Sequence, residues 1–170
     1  MLLFTPSSFP DRAGLMPGAH KHLGGAIDKD GTIYGVPANS KSILCIYPSK
    51  KEAENKSPEF DGSCDSDCAY QMTTIPLPRR IVDREMKWLR GIISNGYLWA
   101  IPAWADSVLC VDLDAYWGRR KLEEGQADIV NLIPLPEEGH PKSMRWQWHG
   151  AGINQEETAI YCIPSNVSQV

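Results

Sequence analysis

The stretch KWLRGIISNGYLWAIPAWADSVLCVDL, residues 87–113, determines the fold class because two further, altered copies of it occur in the chain. These copies are KHLGGAIDKDGTIYGVPANSKSILCIY, residues 21–47, and RWQWHGAGINQEETAIYCIPSN, residues 145–166. Each copy has an aromatic residue three places before a proline. The aromatic residues fall at positions 34, 99 and 161, spacings of 65 and 62 residues. Similarity at a nearly constant spacing predicts a repeat architecture.

The local pattern inside each copy predicts short antiparallel strands. The pairs Asp30-Gly31 and Asn95-Gly96 stand between apolar runs, where such pairs favour tight hairpin turns. A proline then ends the second strand, because it cannot donate to a sheet ladder. Together these signals predict about four strands per complete copy, at 23–27, 32–36, 42–47 and 75–77 in the first, and similarly at 97–101, 107–113 and 129–133 in the second. Long loops are expected at 49–71 and 114–128, the second with a helical turn over 116–124.

Repeated four-stranded units are typical of β-propeller blades. The repeat resembles that of kelch-like propeller proteins of protists, with the form K-W-H-G-G-x-x-x-x-D-G-x-I-Y-G-I-P-x-x-A followed by S-V-L-x-I-D. The matching segments here are GGAIDKDGTIYGVPAN at 24–39, LWAIPAWADSVLCVD at 98–112, and WHGA and IYCIP at 148–151 and 160–164. The histidine of that pattern is present only as His149. The resemblance implies an architecture and assigns no activity.

The predicted fold is therefore all-β, a partial propeller of about two and a half blades. It divides the chain into an N-terminal segment 1–20, repeat 1 with its long loop at 21–86, repeat 2 at 87–144 and a partial repeat 3 at 145–170. Closed propellers typically have about four to eight blades. Three interpretations stay open: a fragment of a longer repeat protein without independent function, an assembly with itself or another subunit, or an open array.

Composition narrows the functional classes. The chain of 170 residues has a formal net charge of −4, and its basic residues are scattered, which argues against a nucleic-acid partner. No apolar run reaches the roughly 20 residues of a membrane span, and no secretory signal is visible, so a cytoplasmic location is the default expectation. Five cysteines, an odd number, argue against a disulfide framework.

Few residues stand out as candidates for chemistry. Cys64 and Cys68 are a weak metal-binding candidate, because a structural zinc site needs four ligands. His149 is a candidate binding residue, expected near the central channel on the innermost strand of its blade. Trp104 and Trp117 are candidate exposed binding residues, since tryptophan is enriched at interface hot spots. Cys45 and Cys110 occupy equivalent repeat positions, which favours a packing role.

The sequence contains no catalytic constellation that we recognise and points to no cofactor. It therefore favours a non-catalytic β-repeat module, for protein–protein interaction or as a structural subunit, whose partner is another protein or a second copy. The alternative is a propeller-type, metal-dependent hydrolase or lactonase with ligands from several blades. The residues considered for that metal are Asn39, Asn95, Asp106, His149 and Asn154.

Overall fold

The computed structural model describes residues 19–48, 70–119, 128–136 and 145–167. Three antiparallel sheets follow one another along the chain, and we call them blades 1, 2 and 3. Blade 1 contains β1 (His22–Ile27), β2 (Ile33–Pro37), β3 (Ser42–Pro48) and β4 (Tyr70–Pro76). Blade 2 contains β5 (Trp88–Ser94), β6 (Tyr97–Pro102), β7 (Ser107–Asp112) and β8 (Val130–Pro134). Blade 3 contains β9 (Trp148–Ile153) and β10 (Ile160–Pro164).

The prediction of an all-β, propeller-like repeat of four-stranded blades is confirmed. In blades 1 and 2 the strands pair in chain order, while in the described part of the chain blade 3 has two strands. A helical turn is present as α1 (Leu113–Tyr116), which shares only Tyr116 with the turn predicted over 116–124; residues 120–124 lie outside the described part of the chain. It begins there because the side chain of Asp112 accepts a hydrogen bond from the Ala115 N–H and caps the first turn. No helix among the described residues is long and apolar enough to cross a membrane.

Strand register defines which residues of the three blades are equivalent. Trp88 lies opposite Pro102 in blade 2, and Trp148 lies opposite Pro164 in blade 3. Trp88 is thus equivalent to Trp148, although Trp146 holds the matching place when the copies are aligned from their first residues, Lys87 and Arg145. In blade 1 the residue opposite Pro37 is His22. A register shift in all three strand pairs obscures this alignment in the bare sequence.

The first strand of each blade is the innermost, and β1, β5 and β9 lie side by side. Gly24 in β1 faces the backbone of β5 so closely that a Cβ atom there would overlap the carbonyl oxygen of Leu89. A glycine inside a strand marks this kind of close backbone approach. The separation of blades 1 and 2 is therefore set by the absence of a side chain.

The main core fills the space between blades 1 and 2. Residues paired across antiparallel strands point to the same side of a sheet. Blade 1 turns Tyr34 and Val36 toward blade 2, and both are fully buried. The side of blade 2 that faces blade 1 carries an apolar row with one residue from each of its four strands: Ile93, Leu98, Val111 and Val130. A smaller cluster, which includes Ile101 and Trp148, joins blade 2 to blade 3.

We expect Gly24→Ala to lower the free energy of unfolding by about 1–3 kcal/mol, because the new methyl group forces blades 1 and 2 apart. The matched control is Gly152→Ala on β9, where an added Cβ meets no atom within 4 Å. That change should be neutral or stabilise by less than about 1 kcal/mol. Urea denaturation followed by circular dichroism measures both. Equal effects of the two substitutions would contradict the close approach.

Candidate functional site

The two junctions between blades use the same backbone hydrogen bond. The Lys87 N–H donates to the Ala38 carbonyl across the first junction, at 3.2 Å, and the Gln147 N–H donates to the Ala103 carbonyl across the second, at 3.0 Å. The donor directly precedes the innermost strand, and the acceptor directly follows the proline that ends the second strand. The equivalent donor in blade 1 is Lys21, and the equivalent acceptor in blade 3 is Ser165. In the described part of the chain no blade lies against either of them.

The residue before each donor adopts the left-handed conformation. The φ angles of His20, Met86 and Trp146 are 53°, 47° and 53°. At the first junction this conformation directs the Met86 N–H to the side-chain oxygen of Asn39, at 2.7 Å. Asn166 is the equivalent of Asn39 in blade 3, and the two amides make matching bonds to the backbone carbonyls of Arg145 and Ala19.

A ring stands at the start of each innermost strand, at His22, Trp88 and Trp148. The Trp88 indole is fully buried and donates from Nε1 to the Ser107 carbonyl at 2.9 Å. His22 replaces tryptophan in blade 1, and its Nε2 makes the equivalent bond to the Ser42 carbonyl at 3.2 Å, as the neutral tautomer protonated there. Burial lowers the pKa of His22, which favours this neutral form. His22 therefore has the geometry of a junction residue, although no blade precedes it in the described chain.

The side of blade 1 turned away from blade 2, here called the front face, carries a continuous apolar row. Its members, one from each strand in register, are Ile27, Ile33, Ile46 and Met72. They are equivalent to the row by which blade 2 packs on blade 1. Ile27 and Ile33 are exposed, whereas the row of blade 2 belongs to the core. The front face thus carries the same kind of apolar row as a packed blade surface, and no blade covers it among the described residues.

The side of blade 3 turned away from blade 2, here called the rear face, is also uncovered in the described chain. Tyr161 and Ile163 are 57 % and 58 % exposed, whereas their equivalents in blade 1, Tyr34 and Val36, are both 0 % exposed. Pro164 and Ser165 are exposed as well, although Pro37 and Ala38 are buried. Six large hydrophobic residues are exposed in the described part of the chain, and five of them lie on the front or rear face: Ile27, Ile33, Tyr70, Tyr161 and Ile163. The sixth, Ile133, lies on the side of blade 2 turned toward blade 3.

A polar network strengthens the junction between blades 1 and 2. Arg119 of blade 2 pairs with Asp30 of blade 1 at 2.9 Å and lies 3.6 Å from Asp28. The Tyr34 hydroxyl donates a hydrogen bond to the Asp28 carboxylate at 3.1 Å. The same hydroxyl accepts a hydrogen bond from Nε1 of Trp117 at 2.7 Å. Burial raises the pKa of Tyr34 above its ordinary value, so the phenol stays a donor.

Both tryptophans that the sequence suggested as exposed contacts are half-buried bridges between blades. The Trp117 ring also meets Tyr47 of blade 1 edge-on, at 5.1 Å between centroids. The Trp104 ring lies edge-on to Trp146 of blade 3 at 5.8 Å, with the Arg145 guanidinium 4.4 Å from its centroid. The structure thus places these two rings at interfaces inside the chain.

The residues considered for a metal do not come together. Asn39 and Asp106 lie just beyond the ends of second strands, and Asp106 pairs with Arg84 at 2.8 Å. Asn95 and Asn154 lie in the hairpin turns, at the opposite end of the strands. His149 is exposed on the innermost strand β9.

No group of three or more His, Cys, Asp or Glu residues able to hold a metal ion occurs among the described residues. Cys64 and Cys68 lie outside the described residues, and their metal binding stays a prediction. Cys45 and Cys110 are buried in the third strands, as their equivalence predicted, and burial raises the pKa of their thiols to about 12 and about 11. Both are packing residues.

Sequence reasoning missed the front and rear faces. Their signal was the lack of polar/apolar alternation in strands 2 and 3, where Ile33 and Ile46 are as apolar as the core positions beside them. A strand apolar on both sides indicates a sheet covered on both sides.

Comparison with known proteins supports the fold. Neither a family model nor a curated protein matches the chain. The crystal structure of selenomethionine-substituted virginiamycin B lyase from Staphylococcus aureus, a β-propeller, matches with a TM-score of 0.50 and 15 % sequence identity. The match covers 86 % of this chain and 36 % of the lyase chain, so the chain spans about a third of that protein.

Lys87 gives the first junction a pH dependence. Its side chain is fully buried, and its Nζ donates to the Arg84 carbonyl at 2.7 Å. Burial lowers its pKa from 10.5 to about 8. Between these two values the unfolded chain binds more protons than the folded chain, so stability contributed by this group rises with pH across that window.

We expect the free energy of unfolding of the wild type, relative to that of Lys87→Met, to increase by up to about 3 kcal/mol from pH 8 to pH 10.5. Taking the difference between the two proteins cancels the opposing titration of the buried thiols. Urea denaturation at a series of pH values provides the measurement. Parallel stability curves for the two proteins would rule out a buried lysine with a lowered pKa.

Proposed function

We propose that this chain is a non-catalytic β-repeat module that acts by binding protein through the front face of blade 1 and the rear face of blade 3. One observation carries the proposal. Side chains that are fully buried at the internal junction, Tyr34 and Val36, have exposed apolar equivalents on the rear face, Tyr161 and Ile163. Exposed apolar surface of this kind marks interaction sites in proteins that otherwise bury it.

The edge of β10 supports the same function. Its equivalents β2 and β6 each pair with a third strand, whereas among the described residues β10 pairs with β9 alone. An unpaired edge offers a row of backbone donors and acceptors to an incoming strand. The surface of blade 2 beside this edge carries the exposed Ile133. A partner strand would pair with the backbone N–H and C=O groups of β10 and, at the same time, cover the apolar surface around Ile133.

Kinship with kelch-like propellers is part of the proposal, and its support is the repeat motif itself. The likeness to virginiamycin B lyase concerns the fold, and a fold does not determine a function.

Selection of binders from a random peptide library, with the purified full chain as bait, tests the role of the faces. We expect most selected peptides to bind Ile163→Asp at least about tenfold more weakly than the wild type, because a charge at the centre of the rear face must be desolvated on binding. The matched control is Gln155→Asp, which adds the same charge in the exposed turn before β10.

The faces have no binding function if the selected peptides bind Ile163→Asp and Gln155→Asp as tightly as the wild type. The same peptides would also have to bind Ile33→Asp, on the front face, with unchanged affinity. Circular dichroism spectra and melting temperatures confirm that each variant is folded before binding is compared.

A further inference from the structure

We propose that the partner is a second copy of this chain, bound head to tail so that the rear face of blade 3 covers the front face of blade 1 of the other copy. This inference rests on the proposed function and specifies its partner. It follows from the equivalence of the three blades, because each outer face carries one half of a junction that the chain builds twice within itself.

The apolar halves match position by position. At the first junction, Tyr34 and Val36 pack in the same core as the row of blade 2 that includes Leu98 and Val111. On the rear face, Tyr161 and Ile163 are the equivalents of Tyr34 and Val36. On the front face, the equivalents of the blade 2 row are Ile27, Ile33, Ile46 and Met72. A rear face placed on a front face therefore repeats an apolar interface that already exists inside the chain.

The front face also carries the glycine that an incoming side chain needs. At the first junction Gly91 leaves room for Val36, since a Cβ atom at Gly91 would lie 2.8 Å from Val36 Cγ2. The equivalent of Gly91 on the front face is Gly25, and the equivalent of Val36 on the rear face is Ile163. The glycine and the branched side chain thus occur on opposite faces, as a head-to-tail contact requires.

The polar halves are complementary in the same sense. Each internal junction joins the N–H that precedes an innermost strand to the carbonyl that follows a proline. The front face presents this donor at Lys21, and the rear face presents this acceptor at Ser165. His20 has the φ angle that lets Met86 donate to Asn39, and Asn166 is held as Asn39 is held. Two front faces, or two rear faces, would bring like groups together.

The number of blades sets the size of the assembly. A head-to-tail contact either closes into a ring or continues as a fibre. The described residues of each copy supply three innermost strands, β1, β5 and β9. Two copies supply six, within the range of about four to eight blades over which propellers close, whereas three copies supply nine. With three blades per copy, the assembly we propose is a closed dimer with two identical junctions.

Light scattering coupled to size exclusion tests this assembly on the full chain. The wild type is expected at twice the monomer mass of 18.9 kDa, and both Ile33→Asp and Ile163→Asp at the monomer mass. A mixture of the two variants should recover the dimer mass, because one junction between an intact front face and an intact rear face survives. This mixed dimer should dissociate at least about tenfold more readily than the wild type, since closure by a second junction is lost.

The control Gln155→Asp should stay dimeric. If Ile33→Asp fails to fold, Ile27→Asp replaces it, because Ile27 belongs to the same row and its side chain is more exposed. A dimer sensitive to only one of the two faces, a mixture that stays monomeric, or a mass that grows without limit would overturn the ring.

A wild type that is monomeric at every concentration would overturn the second copy as partner. If it still selects peptides through the same faces, the proposed function stands and the faces accept another β-rich protein or a further blade of a longer chain. If it selects none, the proposed function fails as well.

Discussion

The approach of neighbouring innermost strands is the constraint on which the rest of this structure depends. Because Gly24 has no side chain, β1 lies against the backbone of β5. This separation brings the Lys87 N–H within 3.2 Å of the Ala38 carbonyl and encloses the Trp88 ring completely. A wider spacing would break the hydrogen bond and admit water to a core built from two sheets that cannot bury their apolar sides alone.

The junctions keep their backbone geometry while their side chains differ. The residue that donates across each junction is a lysine in blade 2 and a glutamine in blade 3, and both are buried. The ring beside it is His22 in blade 1 and Trp88 in blade 2, and both rings donate to equivalent carbonyls. At the position of Asn39 and Asn166, blade 2 has Trp104, which packs on Trp146 of the next blade. The repeated unit is therefore a backbone arrangement, and each junction satisfies it with different side chains.

Much of the fold could be predicted from the sequence because its signals are local. The turns at Asp30-Gly31 and Asn95-Gly96 and the terminal prolines fix strand ends within a few residues. The equivalence of Trp88 with Trp148 could not be predicted, since it depends on a register shift and a second tryptophan stands two residues earlier. The bridging roles of Trp117 and Trp104 were also hidden, because their partners are far away in sequence or belong to another blade. Of the candidate surface, only the two-sided apolar character of strands 2 and 3 was visible beforehand.

The left-handed backbone at His20 has a thermodynamic consequence. Outside glycine this conformation costs about 1 kcal/mol or more, and the chain accepts that cost at three equivalent positions, His20, Met86 and Trp146. At His20 this conformational free energy is spent during folding, although no blade in the described chain accepts hydrogen bonds from the backbone N–H groups of His20 and Lys21 across a junction. A protein that docks there meets groups already fixed in the bound conformation, so association loses little conformational entropy at this point. The front face is in this sense preorganised, and its affinity would depend mainly on the apolar area that the partner covers.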